Sequence, residues 1–205
     1  DTLPGVTNLV YGGSDSADIL GIFGVPAFTV TLQFSLSGLE LNYYSHNGRV
    51  IAYGGGGDDL LISEFLGDVE FDGGDGDDIL IGGNGNDILR GGAGADILLG
   101  RLGADLLLGG AGRDLLFGGA GEDLLVAGIS TFTDNPGQED LTPLYALRDE
   151  WTSTRTYEER VANIFDGSGA ATRANGDYFL APGATLFIDE DADILSGDDD
   201  LDWFI

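Results

Sequence analysis

A nine-residue unit repeats six times without interruption between Gly73 and Val126, and it constrains the fold more than any other feature of the chain. The units read GGDGDDILI, GGNGNDILR, GGAGADILL, GRLGADLLL, GGAGRDLLF and GGAGEDLLV. Glycine dominates positions 1, 2 and 4, aspartate occupies position 6 of every unit, and positions 7 and 8 are always Ile or Leu. A period this strict indicates one structural element per unit, repeated along an axis.

Each unit combines a glycine-rich turn with a short apolar strand. Glycine adopts positive φ angles and brings main-chain carbonyl groups close together, and a brief apolar run suits a buried strand. Such a short strand is stable only when strands above and below complete its hydrogen bonds, so the units are predicted to stack as a solenoid. The aspartates at position 6 then stack as well.

Stacked aspartates repel one another unless a cation lies between them. Calcium takes about six to eight hard oxygen ligands, main-chain carbonyls included, in a tolerant geometry, whereas magnesium requires a tighter octahedron. The chain has no cysteine and one histidine, His46, so it lacks the nitrogen and sulfur ligands that zinc and copper prefer. The repeat therefore predicts calcium binding.

The pattern Gly-Gly-x-Gly-x-Asp-x-apolar-x resembles the RTX repeat of secreted bacterial proteins. The resemblance implies a parallel β-roll in which alternate turns form two calcium ladders on opposite sides. It extends to Gly54–Ile62, which fits the same template, and to Ser63–Asp72, a degenerate unit with one inserted residue. In this alignment Asp59 and Asp68 occupy position 6.

With odd and even units on opposite sides, the resemblance predicts two rows of aspartate ligands. The rows are Asp59, Asp78, Asp96 and Asp114 on one side and Asp68, Asp87, Asp105 and Asp123 on the other. One ion between adjacent aspartates gives about six sites. Further ligands are expected from position-1 glycines and from polar side chains at positions 3 and 5: Gly73, Gly82, Gly91, Gly100, Gly109, Gly118, Asp75, Asp77, Asn84 and Asn86. Later units lack these side chains, so the tighter sites are expected within residues 73–96.

Degenerate repeats are found near both ends of the chain, at Gly12–Leu20, Ile188–Ser196 and Gly197–Ile205. The last unit is expected to close the roll with Trp203 and Phe204 buried. It also resembles the acidic and then apolar terminus of some proteins exported by type I secretion. The sequence leaves open whether the aspartates at position 6 of these units bind calcium: Asp18, Asp193 and Asp202.

An antiparallel meander is predicted before the repeats. Apolar residues alternate over residues 27–35 and 39–43, and the Asn-Gly pair at residues 47–48 is a strong hairpin signal before Arg49–Tyr53. We interpret residues 1–53 as a cap on the N-terminal end of the roll. The alternative is a lectin-like or adhesive surface formed by Tyr43, Tyr44 and His46.

Helical signals follow the repeats. Pro143 suits a first turn after Thr142, with an apolar face at Leu144, Leu147 and Trp151. Thr156 and Glu159 form a capping box before a second amphipathic segment. Residues 127–205 are therefore predicted to form a C-terminal cap of two short helices and short strands, with strands expected at 178–180 and 186–188. The predicted fold class is mainly β, a calcium-bound parallel β-roll (β-solenoid) over residues 54–126 with these two caps.

Charge and composition exclude several functions. The net charge is −28, with 27 Asp and 9 Glu against eight Lys and Arg, and such self-repulsion opposes compaction without counterions. Folding is therefore expected to follow calcium binding. Without a basic cluster the chain has no electrostatic basis for binding nucleic acid or anionic lipid, and no apolar run reaches the length of a membrane span. Catalysis is not expected, because there is no HExxH motif, no cysteine nucleophile and no evident partner for His46.

The outward side chains of the predicted strands are unusually apolar. Positions 7 and 9 point away from the interior when position 8 points in. One outer face is predicted to carry Ile79, Ile81, Ile97, Leu99, Leu115 and Phe117, and the other Ile88, Leu106, Leu108, Leu124 and Val126, with Arg90 as its only charge. Apolar surface of this extent is seldom left exposed on a soluble monomer. Either the caps or another copy of the chain is expected to cover it.

Two functions remain from the sequence. The first is a calcium-binding structural or surface protein, secreted from a bacterium, that folds outside the cell and self-assembles or adheres through apolar faces or ends. The second is a non-catalytic folding and type I secretion module of a larger secreted enzyme or adhesin. Calcium-dependent polymers would favour the first, and a strict monomer the second.

Overall fold

A computed structural model describes residues 8–12, 19–25, 29–34, 49–64, 66–132, 141–169, 172–187, 191–197 and 200–205. The strands of the first half are β1 (Asn8–Gly12), β2 (Ile19–Val25), β3 (Thr29–Phe34), β4 (Arg49–Gly56), β5 (Leu60–Ser63), β6 (Val69–Asp75), β7 (Ile79–Ile81) and β8 (Ile88–Ala93). Those of the second half are β9 (Ile97–Leu102), β10 (Leu106–Ala111), β11 (Leu115–Ala120), β12 (Leu124–Val126), β13 (Ile129–Ser130), β14 (Leu186–Phe187), β15 (Ile194–Ser196) and β16 (Trp203–Phe204). The helices are α1 (Thr142–Trp151) and α2 (Tyr157–Phe165).

Within the described residues, successive repeat strands alternate between two seven-stranded sheets. The first sheet has the order β1-β4-β6-β8-β10-β12-β16, and the second has the order β15-β11-β9-β7-β5-β2-β3. Strands within each sheet are parallel, except that β3 pairs antiparallel with β2. Residues 18 positions apart lie side by side, as in the pairing of Leu106 with Ile88. The predicted parallel β-roll is confirmed.

The interior of the roll is filled by the residues at position 8. Their side chains are fully buried between the two sheets and form one apolar cluster with neighbours from β4 and β6: Val50, Ala52, Leu61, Val69, Phe71, Leu80, Leu89, Leu98, Leu107, Leu116 and Leu125. Burying one such leucine contributes about 1.5–3 kcal/mol. This column of leucines stabilises strands that are each too short to persist alone.

Residues 49–53 belong to the parallel roll, so the prediction that they form the third strand of a meander is wrong. Strand β4 pairs parallel with β1 on one side and β6 on the other. Val50 and Ala52 point into the roll interior. Apolar residues that alternate in this way also suit a strand of an antiparallel meander, so the sequence pattern alone did not identify the strands with which β4 pairs. The predicted strand at 39–43, the turn at 47–48, Tyr43, Tyr44, His46 and Asp18 lie outside the described residues.

The C-terminal strands extend both sheets, as expected for a unit that closes the roll. Strand β15 pairs with β11 and β16 pairs with β12, with Leu115 beside Ile194 and Leu124 beside Trp203. Trp203 is half-buried and stacks on Trp151 with ring centroids 6.1 Å apart. Phe204 is 47% exposed, so its predicted burial is wrong. The strand ends there and leaves its ring at the edge of the sheet.

Both helices pack on the outer face of the first sheet, which we call the covered face. Outward side chains of the roll and the apolar side chains of the cap form a second cluster there: Ile51, Ile88, Leu106, Leu108, Leu124, Val126, Leu141, Leu144, Leu147, Trp151, Ile164, Leu180 and Leu186. Helix α2 begins with the predicted capping box between Thr156 and Glu159. Residues 178–180 form no strand, whereas β14 pairs antiparallel with β13. None of the helices in the described part of the chain is long and apolar enough to cross a membrane.

Candidate calcium ladders

The first row of aspartates is held in place by main-chain hydrogen bonds between neighbouring coils. The N–H of Asp59 donates to Oδ1 of Asp78 at 2.7 Å, and the N–H of Asp78 donates to Oδ1 of Asp96 at 2.8 Å. The series continues from Asp96 to Asp114 at 3.0 Å. Each carboxylate therefore lies beside the turn of the preceding coil, with one oxygen committed to a hydrogen bond.

The second row of aspartates shows the same hydrogen-bond pattern, but the first residue of the row is Val69 and not the predicted Asp68. The N–H of Asp87 donates to Oδ1 of Asp105 at 2.7 Å, and that of Asp105 donates to Asp123 at 2.9 Å. At the start of the row, however, the N–H of Val69 donates to Oδ1 of Asp87, at 2.8 Å. Val69 thus occupies position 6.

Asp68 occupies position 5, so its predicted place in the row of position-6 aspartates is wrong. Its Oδ1 accepts a hydrogen bond from the N–H of Asn86 at 2.9 Å, and Asn86 is the position-5 residue of the next even unit. The inserted residue is accommodated in β5, which has four residues where β7 has three. Comparison of the repeats by sequence alone places the extra residue after Asp68 instead.

Both rows continue into the C-terminal strands across a separation of 79 residues. The N–H of Asp114 donates to Oδ1 of Asp193 at 2.8 Å, and the N–H of Asp123 donates to Oδ1 of Asp202 at 2.9 Å. Asp193 and Asp202 therefore hold the same geometric place as the aspartates of the regular units. Sequence reasoning identified their spacing but not their partners.

The second oxygen of the central aspartates is buried without a hydrogen bond. Oδ2 of Asp78, Asp96 and Asp105 has no donor among the described residues. Burial, together with the charges of neighbouring aspartates, raises the pKa of these carboxyls from the ordinary value of 3.8 to about 6, about 7 and about 9 respectively. Ionising these buried groups is therefore unfavourable, and a bound cation would favour their charged form.

Asp87 differs from these three. Its Oδ2 accepts a hydrogen bond from the N–H of Gly83 at 2.6 Å. Burial raises the pKa of Asp87 to about 7, while the hydrogen bonds from Gly83 and Val69 lower it, as does the positive charge of Arg148. Both oxygens of this carboxylate therefore have donors in the protein, although burial still outweighs these donors.

Position-1 glycines leave room for two oxygens. A methyl group on Gly91 would overlap both Oδ2 of Asp96 and the carbonyl oxygen of Gly109. Gly73 and Gly100 have the same surroundings, with the carbonyl oxygens of Gly91 and Gly118 beside the carboxylates. Carboxylate and carbonyl oxygens from adjacent coils therefore line the same space, and only glycine fits beside them.

This donor set suits a hard cation. It contains oxygen atoms alone, and calcium accepts carbonyls and carboxylates together. No group of three or more His, Cys, Asp or Glu side chains converges within the described ranges, so main-chain carbonyls would have to supply much of the coordination. The residues present fit calcium better than zinc or copper.

Side chains at position 5 link neighbouring coils, a role that the sequence did not reveal. Oδ1 of Asp77 accepts a hydrogen bond from the N–H of Ala95, and Oδ1 of Asn86 accepts one from Ala104, both at 2.9 Å. Asp75 and Asn84, at position 3, are exposed. The position-5 side chains therefore stabilise the turns of the first units directly.

Fold and site together define a parallel β-solenoid with a row of buried carboxylates along each side. Residues 46–68, 72–107 and 99–129 match the family model of the RTX calcium-binding nonapeptide repeat, in four copies. Residues 46–129 therefore carry RTX repeats, and these repeats support a calcium-binding β-roll. No curated protein and no solved structure is significantly similar to the chain. RTX repeats are typical of secreted bacterial proteins and are generally structural rather than catalytic.

Proposed function

We propose that the chain is a non-catalytic structural protein, secreted from a bacterium, whose roll folds when calcium fills both ladders outside the cell. The observation that carries this proposal is the set of buried carboxylate oxygens without donors, at Asp78, Asp96 and Asp105. A net charge of −28 adds repulsion that bound counterions relieve. Calcium binding and folding are then a single event, because the oxygens converge only in the stacked coils.

The ladders suggest how many ions bind. Intervals between aspartates number four in the first row, which ends at Asp193, and three in the second row from Asp87 to Asp202. One ion per interval gives about seven, slightly more than the six expected from the repeats alone. The last ion in each row would bind the C-terminal strand to the roll.

Circular dichroism and native mass spectrometry of the full chain test this proposal. In millimolar calcium we expect a β-rich spectrum and about seven bound ions. In excess EDTA at pH 8 we expect most of the β signal to disappear. An unchanged spectrum in EDTA would reject calcium-dependent folding.

The second sheet presents an apolar outer face that no described element covers, and we call it the open face. It consists of outward side chains of β5, β7, β9, β11 and β15: Leu60, Ile62, Ile79, Ile81, Ile97, Leu99, Leu115, Phe117 and Ile194. Ile79, Phe117 and Ile194 are 36%, 39% and 49% exposed. The equivalent side chains of the covered face are almost completely buried. The contrast supports self-association through the open face.

We infer that the occupant of the open face is a second copy of the chain. The face carries no charge, although the chain as a whole is strongly acidic, so a matching partner must also be neutral there. Two identical open faces satisfy this condition, and a two-fold axis keeps their acidic turns at the edges of the contact. The ends of the roll are less suitable, because β15 and β16 are short and β3 interrupts the parallel register.

The expected contact is small. Five strands about 4.8 Å apart and three residues of about 3.3 Å give a face of roughly 24 Å by 10 Å. A standard interface buries about 800 Å² on each partner, so pairing should be weak and dependent on concentration.

Sedimentation velocity in calcium, over a range of protein concentrations, tests the pairing. We expect wild type to associate and the double variant Ile97→Thr, Phe117→Thr to remain monomeric with an unchanged circular dichroism spectrum. The matched control is Leu102→Thr, an exposed residue at the end of β9 outside the open face, which should associate like wild type. A wild-type protein that is monomeric at every concentration would favour the alternative function, a folding and export module of a larger protein.

A further inference from the structure

The second ladder begins without a pair of position-6 aspartates. Val69, which is fully buried, stands where the other units have aspartate. The carboxylate opposite it, Asp87, has Oδ2 bonded to the N–H of Gly83, unlike Asp78, Asp96 and Asp105. Because Val69 has no carboxylate, the first interval offers a cation one carboxylate fewer than the intervals that follow.

A positive charge of the protein lies at the same place. Arg148 of α1 is 7% exposed, and its Nη1 is 3.5 Å from Oδ2 of Asp68, the position-5 residue beside Val69. The helix is fixed there by a second contact, since the hydroxyl of Tyr145 donates to Oε2 of Glu70 at 2.6 Å. The guanidinium group, whose Nη2 also pairs with Oδ1 of Asp149 at 2.9 Å, is thus held at the start of the second ladder.

We propose that Arg148 takes the place of a calcium ion at the first interval of the second ladder. This inference rests on the proposed binding of calcium at the other intervals. An arginine is always charged, so it can balance the acidic turn at any calcium concentration. The second ladder would then hold three ions against four in the first, and docking of α1 would close its first interval in place of metal.

A second arginine provides the comparison. Arg160 of α2 donates from Nη2 to Oε2 of Glu122 at 2.5 Å, and Glu122 is also a position-5 residue of an even unit. There, however, Asp123 retains position 6 and continues the row to Asp202. Arg160 therefore accompanies a complete pair of aspartates, whereas Arg148 stands beside an incomplete one.

Native mass spectrometry of the full chain in saturating calcium tests the proposal with three variants. Val69→Asp restores the missing carboxylate, and with Arg148 still in place it should bind the same number of ions as wild type. The double variant Val69→Asp, Arg148→Gln should bind one ion more. The control Val69→Asp, Arg160→Gln should match Val69→Asp. A gain already in Val69→Asp, or no gain in the Arg148 double variant, would overturn the proposal.

If the variants with Val69→Asp do not fold, Val69→Asn takes their place, alone and together with Arg148→Gln or Arg160→Gln, because asparagine supplies an oxygen ligand without a buried charge. The dependence of folding on calcium concentration, followed by circular dichroism, reports the number of ions taken up on folding. We expect the uptake to rise by one ion in Val69→Asn, Arg148→Gln and to remain unchanged in Val69→Asn, Arg160→Gln. An equal uptake in both variants and wild type would refute the role of Arg148. If wild type takes up no calcium at all, the proposed function itself fails.

Discussion

Replacing Asp96 with asparagine should stabilise the calcium-free roll and destabilise the calcium-bound roll. Asp96 lies in the middle of the first ladder and is fully buried, with Oδ1 bonded to the N–H of Asp78 at 2.8 Å and Oδ2 without a donor. Asparagine keeps the shape and the Oδ1 acceptor but removes the charge. The change therefore isolates the effect of the carboxylate charge.

The magnitudes follow from burial and mass action. Burial raises the pKa of Asp96 from 3.8 to about 7, and at about 1.4 kcal/mol per pKa unit the buried charge costs up to about 4 kcal/mol at pH 8. Asparagine removes this cost. It also removes a ligand from two intervals, and an ion at about 1,000 times its dissociation constant contributes about 4 kcal/mol. In calcium buffer the variant's free energy of unfolding should therefore be lower by about 4 kcal/mol, because two ions are lost while one buried charge is removed.

Urea unfolding at pH 8, followed by circular dichroism, measures both effects. The calcium-free measurements require a stabilising osmolyte in the EDTA buffer so that both proteins fold. The matched control is Asp177→Asn, whose side chain is 98% exposed and which should change stability by less than about 0.5 kcal/mol in either buffer. The reasoning is wrong if Asp96→Asn destabilises the calcium-free protein. It is also wrong if the stability of the variant depends on calcium as steeply as the stability of wild type does.

Three further predictions concern the core, a strained turn and pH. Leu98→Ala should cost about 3–5 kcal/mol in urea unfolding with calcium, because Leu98 is fully buried, whereas Leu102→Ala, at a 51% exposed site, should cost little. Arg101 has φ 86° at a position where the other regular units carry glycine, and its Nη1 donates a 3.2 Å hydrogen bond to the carbonyl oxygen of Ser63. Because relief of the backbone strain outweighs the loss of this bond, Arg101→Gly should stabilise the roll by about 1 kcal/mol and raise the Tm. Without calcium, the folded chain binds more protons than the unfolded chain at any pH between the ordinary pKa of 3.8 and the raised values, so its stability should fall as pH rises through that window. Acidification from pH 8 to pH 5 in EDTA should therefore restore β-sheet circular dichroism, and no recovery would contradict the raised pKa values.

The regular part of the fold was predictable because the residues of each unit specify its own turn and strand. Glycines permit the turn, the side chain at position 8 enters the core, and the side chain at position 6 faces the neighbouring coil, so every regular unit adopts the same conformation. The column from Leu80 to Leu125 is therefore buried as expected. The helices were also predictable, since the capping box of Thr156 and Glu159 lies within four consecutive residues.

Departures from the repeat were not predictable in the same way. The inserted residue could be accommodated before or after Asp68, and the two choices differ by one position in register. The structure places it in β5, which moves Val69 into the row and Asp68 out of it. A single residue of register reverses the direction of every side chain in a strand, and the packing of the adjacent coils decides between the choices.

The sequence by itself determined the period, the inward leucines and a set of oxygen ligands that favours calcium, because these follow from residues within one unit. The resemblance to the RTX repeat implied that alternate turns lie on opposite sides. Only the tertiary structure decided which apolar face the cap covers and which strands Asp193 and Asp202 meet, 79 residues from their partners. It also brought Arg148 beside Asp68. Apolar burial has no direction along the chain, so a sequence with two equally apolar faces does not specify which one its helices will cover.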